Sequence, residues 1–447
     1  MICLGVGVIC LIPSKAVNVG LRWANPRMAF GFAFLLFHVL RPFYLMLVGD
    51  YYGERLGFYS FSSSLEMNLM LLASAMGGLA FLIGWQWGMH RWTGLGNRSK
   101  RVQHPQSITL LLKRVWVIVP FAILALIWGG WGSVSQDLIN IYYLLRCSLI
   151  AIMYLFLIAT FQSKARTRRM LYFIMSAMSV LAFLWLFIQE SGSSRLFLLM
   201  FVIPGFVVLS FLFKRKALVL ITVSTLFIIF IFMFLGNVRS SLQEGASLTE
   251  QLETQTSDVL ENVTSYFLQG GDFDAFEKGM LVIETIPSDE SPYWGRTFAT
   301  LFIMPIPRTF WPGKPEASLT DAIIKRYPLI PENFAVTFIG EAYGNFLWPG
   351  VILIFLLFGI ISAKVYRHNI SPQPDVESCV LLGLYMAYVI LVMRGSFHSM
   401  TSYYLFCLFW FVASDWVFKL KWIKEPVFTF SRSSLDLKTD KRTISET

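Results

Sequence analysis

Long apolar runs dominate the chain, separated by short polar or basic stretches. A run of roughly 20 apolar residues is long enough to cross a bilayer as a helix. The runs predict spans at 28–48, 67–89, 115–133, 141–162, 170–188, 196–213, 217–236, 347–363, 379–393 and 402–419. The expected fold class is an all-α polytopic membrane protein of about 10–11 transmembrane helices. The apolar positions are contiguous rather than alternating, which excludes a closed β-barrel. Residues 1–12 are apolar but too short to span, and no basic segment precedes them. That pattern argues against a cleavable signal peptide and reads as the stub of a helix that begins upstream.

One region breaks the pattern. Residues 237–346 are polar, charged and punctuated by proline. The chain therefore divides into N-terminal membrane helices (1–236), one large loop with short helices (237–346), C-terminal membrane helices (347–419) and a polar tail (420–447). Inside the loop, 248–268 and 273–286 carry apolar positions at mixed three- and four-residue spacing, which predicts short amphipathic helices along the membrane surface. The segment Pro305–Pro315 cannot be a regular helix, because its prolines remove donors and fix φ, and it reads as a rigid loop. A further helix is expected over 316–326. The tail has the composition of a disordered segment.

Composition changes this picture little: 56% of residues are hydrophobic and 14% charged, so lipid is the solvent. Charge adds a direction. The net charge of +10 is concentrated in clusters at Arg91–Arg114, Lys164–Arg169, Lys214–Lys216, Lys364–Arg367 and Lys419–Lys424. With the spans above, every cluster falls on one side, and positive loops stay cytoplasmic. The 237–346 loop is then extracytoplasmic, as are the turns near 49–66, 134–140, 189–195 and 394–401. The excess is a topology signal, so no nucleic-acid partner is expected. The five cysteines lie in or beside apolar runs without metal or CxxC spacing and read as small buried hydrophobes.

The charge rule leaves some arginines unexplained. Arg41 and Arg146 lie about two turns inside the external ends of their helices, and Arg195, Arg239 and Arg394 stand at such ends. Arg308 and Lys314 come from the loop above. Forked, permanently charged donors gathered at one depth suit a diphosphate. Snorkelling to headgroups or pairing with an acid is the plainer reading of any single one. Two candidates for a general base are Glu341, in the run Gly340-Glu341-Ala342-Tyr343-Gly344-Asn345-Phe346, and His398. A salt bridge to a loop arginine is the structural reading of Glu341, and a surface-turn histidine that of His398. Asp272, Asp274 and the pair Asp289-Glu290 are thin support for a metal, and no HExxH, P-loop or GxSxG occurs. Trp294, Trp311 and Tyr343 are candidates for stacking on sugar rings.

The run Pro307-Arg308, Trp311-Pro312, Lys314-Pro315, followed by Gly340 to Phe346 leading into a span, resembles the bacterial oligosaccharide repeat-unit polymerases, the Wzy-type O-antigen and capsule polymerases. Ser194-Arg195 at a span start and the long late loop are also similar to that family. The resemblance is specific over roughly residues 190–400 and topological elsewhere. It implies a C-type glycosyltransferase (GT-C-like) fold in the bacterial inner membrane and substrates that are undecaprenyl-diphosphate-linked oligosaccharides. It implies no metal or other cofactor, and the company of membrane lipids, a chain-length regulator and a flippase. On this reading Glu341, His398 and Arg308 serve catalysis, while Arg41, Arg146, Arg195, Arg239, Lys314 and Arg394 hold the diphosphate. Two rival readings remain: a lipid-linked oligosaccharide flippase, and an O-antigen ligase.

Overall fold

The computed structural model describes residues 1–12, 24–48, 64–91, 107–130, 138–189, 197–213, 275–303, 306, 310–314, 319, 323, 336–370 and 374–419. Among the described residues all regular structure is helical: α1 (Ile2–Leu11), α2 (Pro26–Leu35), a π-helical turn (Leu36–Leu40), α3 (Arg41–Val48), α4 (Ser64–Arg91), α5 (Ile108–Gly130), α6 (Ile139–Gln162), α7 (Arg166–Gln189), α8 (Phe197–Leu212), α9 (Ala275–Thr285), α10 (Arg296–Ile303), α11 (Phe338–Asn369), α12 (Val376–Arg394) and α13 (Phe397–Lys419). Among the described residues, seven helical stretches are long and apolar enough to cross a membrane, the first formed by α2, the π-turn and most of α3. The others are α4, α5, α6, most of α7, α11 and α12. The protein is therefore a multi-pass membrane protein. The expected span at 217–236 lies outside the described residues.

Helix α11 packs along α4, and the two run parallel: Gly77 meets Val351, Gly84 meets Leu356, and Gly88 meets Ala363. Without water to drive helices together, small residues let backbones approach instead. A Cβ added at Gly84 would stand 2.1 Å from the Leu356 carbonyl oxygen, and one at Gly359 would stand 2.2 Å from that of Phe81. Phe30 stacks on Phe81 at 3.7 Å, and Phe338, Phe355 and Phe358 close the aromatic core between α2, α4 and α11.

The two ends of the bundle differ. At one end Arg367 donates to the Met89 carbonyl, joining the C-termini of α11 and α4. Arg114, placed by sequence in a basic loop, is instead fully buried at that end. It donates to Glu377 of α12 at 3.0 Å and to the Phe411 carbonyl and Ser414 hydroxyl of α13. The opposite end carries α9 and α10. Helix α9 is where 273–286 predicted a helix, but it does not lie on a surface: ten of its eleven residues are buried, against α4 and α11. The sequence pattern did not reveal α10. The run Gly340 to Phe346 is also helical, in a short first arm of α11 that is capped by the Thr337 hydroxyl and doubles back at Leu347 (φ 55°, ψ −147°), so that Phe338 packs on Phe355 at 4.9 Å.

Candidate functional site

Three of the expected site residues meet where α11, α12 and α13 come together at the α9–α10 end. Helix α12 ends at Arg394, the chain turns through Gly395 and Ser396, and α13 starts at Phe397. Glu341 projects from the first turn of α11 and is 2% exposed. Its Oε2 accepts the Phe397 N–H at 2.6 Å. A carboxylate at the start of a helix meets unsatisfied N–H groups and the positive end of the macrodipole, and both favour it. Its other oxygen, Oε1, is buried and makes no short hydrogen bond among the described residues, although the Thr297 hydroxyl is close enough to favour the charged carboxylate. Among the described residues Glu341 makes no salt bridge of the kind expected as its structural reading, and instead caps a neighbouring helix.

The residue after Phe397 is the second candidate base, His398. Its Nε2 pairs with the Ser399 hydroxyl at 3.0 Å, and its Nδ1 is buried without a partner among the described residues. His398 lies in the first turn of α13, ahead of the 402–419 stretch expected to cross the membrane. Burial pushes its imidazole down to about 4. One turn on from Glu341, towards Leu347, Asn345 fixes the segment: its Nδ2 donates to the Glu341 carbonyl and to the Thr297 hydroxyl of α10, both at 2.7 Å. Trp294 N–H donates to the Asn345 carbonyl and Tyr293 N–H to that of Gly344. Thus α10 and the turn before it are hydrogen-bonded to the segment that carries Glu341. Asn345 stands in the run Gly340 to Phe346 but was given no role by sequence, and Thr297 and the cap at Phe397 carry no motif, so sequence reasoning missed all three.

The arginines separate into two groups. Arg146 of α6 is 3% exposed and stacks over the Phe183 ring at 4.5 Å. It lines a narrow cavity with Tyr143, Phe183, Met200, Tyr403 and Cys407. In this conformation the cavity has space for about one water molecule. Tyr143 packs on Tyr403 at 5.0 Å, and one turn on along each helix Cys147 meets Cys407. The matched four-residue steps show that α6 and α13 run parallel, so the N-terminus of α6 lies at the Glu341 end. From Phe397 to Tyr403 the rise is about 9 Å, so the cavity lies just over one turn and a half below the Glu341 cap.

Arg41 belongs elsewhere. It pairs with Glu277 of α9 at 2.5 Å, both side chains almost fully buried, and is not among the residues lining the Arg146 cavity. Lys314 donates through Nζ to the Ile306 carbonyl at 2.9 Å, bracing its own loop. Arg195, Arg239 and Arg308 lie outside the described residues, as do Asp272 and Asp274. Neither a curated protein nor a solved structure matches the chain. A family model does: O-antigen polysaccharide polymerase Wzy, matched over residues 8–422.

Proposed function

Because the chain belongs to the O-antigen polysaccharide polymerase family, we propose that it joins repeat units carried on undecaprenyl diphosphate, at the external face of the bacterial inner membrane. The growing glycan is the donor and a new repeat unit the acceptor. An acceptor hydroxyl attacks the anomeric carbon of the donor. The bond from that carbon to the diphosphate oxygen breaks, and undecaprenyl diphosphate departs with the electron pair. The acceptor proton passes to a carboxylate.

The observation that carries this reading is Glu341: a buried carboxylate with one oxygen held by the Phe397 N–H and the other making no short hydrogen bond among the described residues. It is fixed in direction before substrate arrives, which is how a general base gains efficiency. His398, at about 4, holds a proton poorly at neutral pH and serves as a neutral hydrogen-bonding neighbour. Arg394 stands three residues before the cap, and Arg146 lies below it. In this reading both neutralise the leaving diphosphate, joined by Arg195, Arg239, Arg308 and Lys314 from the loop side. Stabilising charge that develops in the transition state is usually the largest catalytic effect. The Arg146 cavity must widen to admit a phosphate, by parting Phe183 from Tyr403.

A lipopolysaccharide ladder tests the assignment. Glu341→Gln keeps the shape but cannot accept a proton. It is expected to leave core capped with a single repeat unit and no ladder, at normal protein abundance. A full ladder from Glu341→Gln would remove Glu341 from the mechanism.

A further inference from the structure

Helix α10 is inside out. Its two fully covered side chains are threonines, Thr297 and Thr300, turned towards the protein. Its uncovered face carries Arg296, Ala299 and Phe302, and Phe302 is 82% exposed. The polypeptide on either side continues the pattern: Trp294 is 73% exposed, Phe310 83%, and Ile306 and Trp311 are each 40% exposed. Single exposed apolar residues are ordinary, but a helix with polar groups in and aromatic groups out, extended by three more aromatic rings, is not built for water.

Its level in the fold identifies the solvent. Phe298 of α10 packs at 4.9 Å on Phe397, the first residue of α13, and at 6.3 Å on Phe346 at the top of α11. Helix α10 therefore lies beside the reversal of α11 at Leu347, to which the turn before it is hydrogen-bonded through Gly344 and Asn345. Below Leu347, α11 continues for 22 residues to Asn369, about 33 Å, the thickness of a hydrocarbon core. The reversal at Leu347 is thus at headgroup height, with the start of α11 tucked beneath it beside Phe355. Tryptophan at that height, with Arg296 among the rings, matches an interfacial segment: aromatic rings in the acyl boundary, a cation at anionic phosphates.

The backbone holds this arrangement in place. Trp294 adopts φ 48°, a left-handed conformation uncommon outside glycine. Gly295 follows at φ +83°, where a Cβ would strike the Phe346 ring at 2.8 Å. The hydrogen bonds to Gly344 and Asn345 hold the turn and aim the indole outward.

We propose that α10, with Trp294 before it and Ile306 and residues 310–314 after it, is seated in the lipid headgroup layer with Phe302 and Phe310 in the acyl region, so that the bilayer itself sets the height of the Glu341 turn. This goes beyond the catalytic assignment and stands without it.

Spin labelling in nanodiscs of phosphatidylethanolamine and phosphatidylglycerol tests it. Single cysteines are introduced at Ala299, Phe302 and Phe310, with Ser288→Cys, on an exposed turn after α9, as the aqueous control. All five native cysteines are buried, and the unsubstituted protein gives the labelling background. Power saturation is expected to show labels at 299, 302 and 310 relaxed more by dissolved oxygen than by a water-soluble nickel chelate, with the order reversed at 288. Should Phe302→Cys fail to fold, Ala299→Cys reports the same face. Chelate-dominated relaxation at all three positions overturns the proposal. So does a label that is chelate-accessible in bare nanodiscs and becomes shielded only when oligosaccharide is added, since that face would then belong to glycan.

Discussion

Arg41 and Arg146 make an instructive pair. Each lies within an apolar helix about two turns from its external end, and each is at most 5% exposed. Sequence gives them the same reading. The structure gives them different surroundings: Arg41 meets Glu277 on α9 and is consumed in joining the loop helix to the membrane helices, whereas Arg146 opens on a cavity walled by aromatic rings and sulfur. The lesson is that a buried guanidinium identifies a ligand site only once its surroundings are known. A buried carboxylate partner marks a joint, and under the proposed function the cavity beside Arg146 is where an anion would enter.

The sharpest test of that contrast is stability. Breaking a buried ion pair from one side strands a charge and costs about 3–5 kcal/mol, whereas replacing both members by apolar residues is often neutral. Arg41→Met or Glu277→Leu alone is expected to lower the melting temperature in detergent and the amount of protein in membranes. The double variant Arg41→Met/Glu277→Leu is expected to recover both. Ladder length per folded molecule should follow abundance throughout. If single variants at Arg41 were stable yet failed to polymerise, the contrast with Arg146 would collapse.

Arg146 should show the opposite profile. Arg146→Ala is expected to cost about 100-fold or more in polymerisation, the scale of losing one stabilising donor, with abundance near normal. Arg146→Lys, which keeps the charge but loses the planar stack on Phe183, should recover part of it. In vitro synthesis from purified lipid-linked repeat units checks this.

A smaller effect concerns His398. Its proton affinity is lowered from the ordinary 6.5 to about 4 on burial, so the unfolded chain binds the proton more readily than the folded one. Its contribution to stability is complete above about pH 6.5 and is lost as pH falls towards 4. His398→Gln is expected to flatten the pH dependence of the melting temperature between pH 4 and 6.5 and leave the value at pH 8 nearly unchanged. The smallest effect is expected at Tyr388, whose hydroxyl meets Thr401 at 3.1 Å. Tyr388→Phe should cost about 1 kcal/mol, one neutral hydrogen bond, visible in thermal melts and absent from ladder length.

The spans were legible because a bilayer imposes a length that composition alone satisfies, and helices were found at nine of the ten expected positions, the tenth lying outside the described residues. Glu341 and His398 were legible as residue types out of place in their context, and so was Arg394 at a helix end. Their meeting was not, because the bond from Phe397 to Glu341 joins positions 56 residues apart, and periodicity is blind to such pairs. Arg41 with Glu277 spans 236 residues and was invisible for the same reason. Helix α10 escaped because its hydrophobic face points away from the protein, the reverse of what an amphipathic pattern is taken to mean. The Arg114 joint was hidden because basic residues near a cytoplasmic loop already have a sufficient explanation in topology.

The contact between α4 and α11 has a consequence for motion. Two helices meshed backbone to backbone, with carbonyls where side chains would otherwise be, can neither slide past one another nor roll without collision. The lower part of α11 is therefore a fixed post. On the proposed function, the movement that admits a polymer growing longer at every turnover leaves this post standing and falls to the elements around it, the short arm hinged at Leu347 among them.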